Sequence, residues 1–198
     1  MPRPVSAADL QAALARRHRP AKPSNHTSPC HQRVLAIDPA LRRTGWAVIE
    51  GGAANPRALA WGTITNAAKL STAACLVEIH RQLVEIIGNH RPEVCAIEST
   101  IFVQSMRTAI TLGMSSGACL IAAGSAGLPI FQYAPREIKQ AVVGRGGAQK
   151  SQVAFMMRSL LGLRETPAAD AADAMAVAIT HLQSHNAEAI GTSPRRRL

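Results

Sequence analysis

Aromatic side chains make up only 3% of this chain, too few for a surface that binds single strands by stacking bases on rings. The four cysteines, at 30, 75, 95 and 119, form no CxxC pair and keep no metal-type spacing with a histidine. They read as reduced, packed thiols of an intracellular protein, not as a metal site or a disulfide framework. No apolar run is expected to reach the ~18–20 residues of a membrane span, and no signal-peptide core follows Met1. The reading is therefore cytoplasmic, with no membrane partner. Acid is scarce as well: 12 Asp and Glu stand against 22 Lys and Arg, a net charge of +10. That excess suits an anionic partner, but it is concentrated at the ends. Residues 1–33 carry six basic residues and one acid, the closing RRR adds three, and the stretch between holds 13 basic and 11 acidic residues. Basic tails fit nucleic acid, and they also fit plain solvated ends.

What is present is enough for one domain. The chain has 198 residues, 47% of them hydrophobic, which supports one full core and leaves little room for a second. Residues 1–33 hold five prolines among small and charged residues, the composition of a basic, disordered extension. Within it, "AADLQAALARRHR" is amphipathic, basic and acid-poor, which also fits an organelle-targeting peptide. A domain over 34–184 and a basic tail over 185–198 follow. "RVLAID", "TGWAVIE", "ALAWGTIT", "EVCAIE" and "LPIFQY" read as five strands. Helical spacing covers 71–89, with Ser71 as N-cap, then roughly 104–126, 135–143, 148–162 and 167–184. Three strands, then helix–strand–helix–strand, then helices indicate an α/β domain with a mixed five-stranded sheet flanked by helices.

The residues that do not suit a core are acids. Asp38 ends "VLAID" and Glu98 ends "VCAIE", and sites in sheets with parallel strands form at the carboxyl ends of the strands. "AADAADAMAVAI", residues 168–179, is alanine and aliphatic almost throughout, yet holds Asp170 and Asp173. Thr166 and Pro167 read as N-cap and first-turn residue, which would put Asp170 at the end of the first turn, where the helix dipole favours it. The dipole does not explain Asp173. Spacing of i, i+3 puts both carboxylates on the face shared with Ala174 and Val177, and like charges converging there need a cation. No Lys or Arg in the neighbouring sequence is an obvious counter-ion. A hard divalent metal suits oxygen ligands. Four acids on two strand ends and one helix suit two such ions ~3.5–4 Å apart, an arrangement that supports in-line displacement at phosphorus. The residues thus point to a metal-dependent phosphodiesterase.

"AIDPALRRTGWAVIE", "VCAIESTIF", "LPIFQYAPREIKQAVVGRGGAQKSQV" and "ADAADAMAVAITH" resemble the RuvC Holliday-junction resolvases, collinearly over roughly residues 33–182. The resemblance implies a ribonuclease H-like fold, a homodimer, and Mg²⁺-dependent paired nicking of four-way DNA junctions that leaves 5′-phosphate and 3′-hydroxyl ends. It implies an acidic tetrad on Asp38, Glu98, Asp170 and Asp173 that holds two Mg²⁺, with Mn²⁺ as a substitute and Asp38 as the bridging ligand. A branch-migration motor as partner is implied in the same way. His181, eleven residues beyond Asp170, would lie roughly 16 Å away at 1.5 Å per residue, so it reads as structural or DNA-proximal.

Three features depart from the family pattern. Ala40 and Ala47 stand where glycines are usual, and Ala40 is less free than glycine to adopt a positive φ. Ser99-Thr100-Ile101 replaces Gln-x-Phe, with Phe102 one place later, so Ile101 or Phe102 is the candidate wedge at the junction centre. "GRGGAQKS" is not a Walker A loop, because Gln149 occupies the place of the glycine before the lysine. A glycine loop entering a helix still suits a DNA phosphate. Arg136, Lys139, Arg145 and Lys150 supply the positive charge there, and Lys139 and Lys150 coincide with basic positions of the family. Rival readings are a related nuclease on hybrid or other branched substrates, and a catalytically inactive junction-binding protein.

Overall fold

A computed structural model describes residues 31–99 and 105–189. Strands β1 (Gln32–Asp38), β2 (Arg43–Gly51) and β3 (Arg57–Thr65) form an antiparallel meander. Helix α1 (Thr72–His90) crosses to β4 (Val94–Glu98), which pairs parallel to β1; α2 (Met106–Ser125) crosses to β5 (Ile130–Tyr133), parallel to β4. Helices α3 (Pro135–Val143), α4 (Lys150–Leu160) and α5 (Ala169–Ala189) close the chain. The sheet order is β3-β2-β1-β4-β5, the mixed five-stranded sheet expected from the order of the strands.

Alternation sorts each strand between two cores. Leu35, Ile37, Val48, Cys95 and Ile97 pack with Ile79 and Leu83 of α1 and Cys119 and Ala122 of α2. Val34, Ala36, Ala47, Ile49, Val94 and Ala96 turn to the other face, under α3, α4 and α5. By the same period of two, Asp38 and Glu98 continue the second set. Ile37 pairs with Ile97, so the two acids that follow stand side by side at the strand ends, facing α5.

Helix boundaries follow local chemistry. In α1, the Ser71 hydroxyl accepts from the Ala74 amide at 3.2 Å, and Cys75, Ile79, Leu83 and Ile86 form its buried stripe. Helix α5 differs from expectation at both ends. Its first bond runs from the Ala172 amide to the Ala168 carbonyl, so Thr166 is not its cap, and Asp170 lies inside the first turn. It ends at Ala189, beyond the expected helix end at 184. Strand β1 likewise starts at Gln32, inside the expected extension.

Helix α2 corrects the reading that no segment is apolar enough to span a membrane. Its 20 residues meet that test by length and composition alone. One face explains part of this: Ala118, Cys119, Ala122 and Ala123 are buried against the sheet. The opposite side leaves Met106, Ile110 and Ile121 more than half exposed.

Candidate active site

Three elements bring the four acids together. β1 and β4 deliver Asp38 and Glu98 in register, and the first two turns of α5 deliver Asp170 and Asp173. Helix α5 comes into close contact with the sheet at Gly45, which pairs with Asp38 across β1 and β2. A Cβ at Gly45 would lie 2.0 Å from the Asp170 carbonyl oxygen. The missing side chain lets the helix start sit directly on the strand beside Asp38. Sequence reading passed over Gly45, although a glycine inside a strand pattern is a signal for close backbone approach.

The electrostatics show how tightly the acids are grouped. Burial pushes Asp38 up to about 7, and the charges of Asp173 and Asp170 push the same way against Lys150. Glu98 is also pushed up to about 7, first by burial, then by Asp38 and Asp173, against Lys150 and Lys139. Two half-buried carboxylates are thus costly to ionise without a cation, while the helix acids have cations already. Lys150 Nζ donates to Asp173 Oδ2 at 2.7 Å, a bond that raises the lysine's own pKa. Arg43 Nε donates to Asp170 Oδ2 at 2.7 Å, and Nη2 lies in ion-pair contact with the same oxygen at 2.7 Å. The fold thus supplies two counter-ions that the neighbouring sequence does not. The counter-ions come from 23 and 127 positions away, distances over which no helical or strand period operates.

The expected DNA-contact residues divide. Lys150 opens α4 and Lys139 lies on α3, and their charges reach Asp38 or Glu98. Arg136 and Arg145 are exposed and do not enter the balance at either acid. Arg136 instead lies over the glycine loop, where a Cβ at Gly146 would come within 2.8 Å of its Cγ. Ile101 and Phe102 lie outside the described residues. His181 is structural: it is 1% exposed, with Nδ1 2.7 Å from the Tyr133 hydroxyl and Nε2 3.0 Å from Gln32 Oε1. Ala40 needs no glycine, because the only non-glycine residue with positive φ among the described residues is Arg91. The Thr44 hydroxyl donates to the Ala40 carbonyl at 2.6 Å and closes that turn. Ala47 is fully buried within β2.

The family model "Crossover junction endodeoxyribonuclease RuvC" matches residues 34–181. The chain belongs to the RuvC family. It is 52% identical over 152 residues to the RuvC of Akkermansia muciniphila, covering 77% of this chain and 91% of that one. It is 42% identical over 160 residues to the RuvC of Alkalilimnicola ehrlichii, covering 79% and 94%. A solved structure of Thermus thermophilus RuvC in complex with a Holliday junction substrate superimposes with a TM-score of 0.75 at 34% identity. That match covers 85% of this chain and 100% of the other. The fold is therefore the ribonuclease H-like fold of RuvC, with its mixed five-stranded sheet and flanking helices.

RuvC nucleases depend on divalent metal, and the donor set here fits one. It is all carboxylate oxygen, as hard divalent ions prefer, and it carries more negative charge than its burial tolerates unpaired. Among the described residues no group of three or more His, Cys, Asp or Glu side chains is placed to hold a metal ion; the helix acids are instead paired with Arg43 and Lys150. A metal would take over part of what those cations do. The raised values of Asp38 and Glu98 give this a measurable sign. An unfolded Asp or Glu titrates near 4, so between there and about pH 7 the folded chain binds more protons than the unfolded one. Stability in EDTA is expected to fall as pH rises through that window and to level off above it. Thermal melts in EDTA from about pH 5 to 8 should show a declining Tm, restored at the alkaline end by a divalent cation. A Tm that climbs with pH in EDTA would contradict the grouping.

Proposed function

We propose that this chain is a structure-selective endodeoxyribonuclease that resolves Holliday junctions by Mg²⁺-dependent phosphodiester hydrolysis, acting as a homodimer. The observation that carries the proposal is the convergence of Asp38, Glu98, Asp170 and Asp173 on one face of the sheet in a RuvC-family chain. Those four side chains are the ligands, with Asp38 placed between Glu98 and the helix acids. Bound there, Mg²⁺ would lower the pKa of a water and neutralise charge on the phosphoryl oxygens. Lys150 and Lys139 stand at the edge of the acids and are suited to backbone phosphates, which position the duplex without reading its sequence. The Lys150 side chain is 69% exposed while that of Asp173 is 15% exposed, so the ammonium can turn from the acid to a phosphate without crossing the core.

Paired nicking needs two sites facing opposite strands, and the exposed side of α1 and α2 offers a surface for a second copy. Val77, His80, Met114 and Ile121 line an apolar groove of about 380 Å³ between the two helices. Val77 is 67% and Ile121 61% exposed, so the groove presents apolar side chains that a second copy could cover. The double substitution Val77→Asp with Ile121→Asp is expected to give a folded monomer by sedimentation and to lose simultaneous nicking of both strands. A variant that remains dimeric would move the interface elsewhere.

The function is tested with a synthetic four-way junction that has a short mobile core, in Mg²⁺ and in EDTA, with gel-shift binding alongside. Metal-dependent paired nicks by wild type, lost in Asp173→Asn while binding persists, are the expected result. Tight binding without nicks under any divalent metal would leave a junction-binding protein. Preferential cleavage of hybrids or other branched DNA would leave a related nuclease.

A further inference from the structure

The four acids and two lysines leave Arg43 unexplained. It opens β2, two residues before Gly45 and across the sheet's site end from α5. Its Nε and Nη2 converge on a single oxygen, Asp170 Oδ2, both at 2.7 Å. Oδ1 takes no part in this fork. The Arg43 side chain is 58% exposed and that of Asp170 20%, so the guanidinium lies over the acid on its solvent side. A guanidinium carries five N–H donors in one plane. Nε–H is used on Asp170 and Nη2 is in ion-pair contact with the same oxygen, which leaves the Nη1 donors for another acceptor. Lys150 on Asp173 is different in kind, a point charge on a flexible stem with one bond to its acid.

We infer that Arg43 is a positioning residue for the reaction, which rests on the nuclease reading above. Its Nε–Nη2 edge holds the Asp170 carboxylate in place, leaving Oδ1 to a divalent cation, and its remaining donors take a DNA phosphate beside the scissile one. The clamp fixes a ligand that otherwise has rotameric freedom at the start of the helix. Hydrogen-bond partners that orient metal ligands are commonly worth about 10–100-fold in metal affinity. The outward donors add one cation to the track that receives the phosphate backbone.

The test uses the full chain as wild type, Arg43→Ala, Arg43→Lys and the charge control Arg57→Ala. Arg57 pairs with Glu50 at 3.2 Å at the opposite end of the sheet. Mn²⁺ binding is measured without DNA from the electron paramagnetic resonance of the free ion, and junction affinity in EDTA is measured against salt concentration. Arg43→Ala is expected to bind Mn²⁺ about 10–100-fold more weakly and to lower the salt slope by about 1. Arg43→Lys should restore the slope and not the Mn²⁺ affinity, because an ammonium supplies charge without the fork. Arg57→Ala should change neither. Mn²⁺ affinity equal to or tighter than wild type in Arg43→Ala would overturn the clamp, and an unchanged slope would overturn the phosphate contact. Junction cleavage by wild type is run in parallel. A wild type that does not cleave would remove the nuclease reading and this inference with it. A wild type that cleaves beside an Arg43→Ala matching Arg57→Ala would remove this inference alone.

Discussion

Asp38→Asn is expected to bind four-way junctions, to cleave them at least about 10³-fold more slowly than wild type, and to melt higher than wild type in EDTA at alkaline pH. The three effects share one cause. Asp38 ends the central strand, with Glu98 on one side and the helix acids on the other, and its charge acts on Glu98, on Lys150 and even on the buried Cys119 thiol. Asparagine keeps the shape and removes the charge, so the ligand set loses its middle member while the basic edge that meets DNA is untouched. Burial and neighbouring acids raise Asp38 to about 7, so its ionised form is held at a cost on the order of a few kcal/mol. The variant does not carry that cost. Its advantage in Tm should therefore be small near pH 5, grow toward pH 8, and shrink again when a divalent cation is added to both proteins. A variant less stable than wild type at pH 8 in EDTA would show that Asp38 has a structural role beyond its charge. Cleavage within tenfold of wild type would remove it from the ligand set.

The same residue shows why so much of the site was legible beforehand. Strand ends and helix faces are local properties. An acid closing an apolar run, or two acids three apart on an alanine helix, violates local expectation wherever the rest of the chain goes. Five strands and their order follow from short apolar runs divided by turn residues, and alternation along β1 and β4 already implies which face Asp38 and Glu98 share. Arg43 and Gly45 were not legible in that way. Each acts through Asp170, more than a hundred positions distant, and only the closure of α5 onto β2 brings them together. The end of α5 was misplaced for a related reason. Thr166 and Pro167 form a good start on local propensity, but packing on the sheet sets where the helix can begin, and Asp170 reaches the site from the first turn.

Gly45→Ala is the second large effect expected, and it separates geometry from ligand chemistry because it removes no functional group. An alanine Cβ there would sit 2.0 Å from the Asp170 carbonyl oxygen and 2.6 Å from its carbon, both backbone atoms. No rotamer change relieves such a contact, so the start of α5 must move off β2. That helix carries Ala171, Ala172 and Ala174 through Ala178, all nearly or fully buried, and small residues leave no slack to absorb the shift. Overpacking against backbone is expected to cost about 3 kcal/mol, a fall in Tm of roughly 6–12 °C for a domain of this size. Cleavage should drop by about 10²-fold or more at temperatures where the variant is fully folded, because a displacement near 1 Å misaligns Asp170 and Asp173 with Asp38. Gly62→Ala is the matched control. The three atoms nearest its Cβ would all belong to the Trp46 ring, the first at 3.1 Å, and that side chain lies on the α1 and α2 face, away from the acids. It should lose less stability and keep wild-type cleavage. Equal losses in the two variants would mean that α5 is held in place by its buried face as a whole, and that the close approach at Gly45 does not set the position of the helix acids.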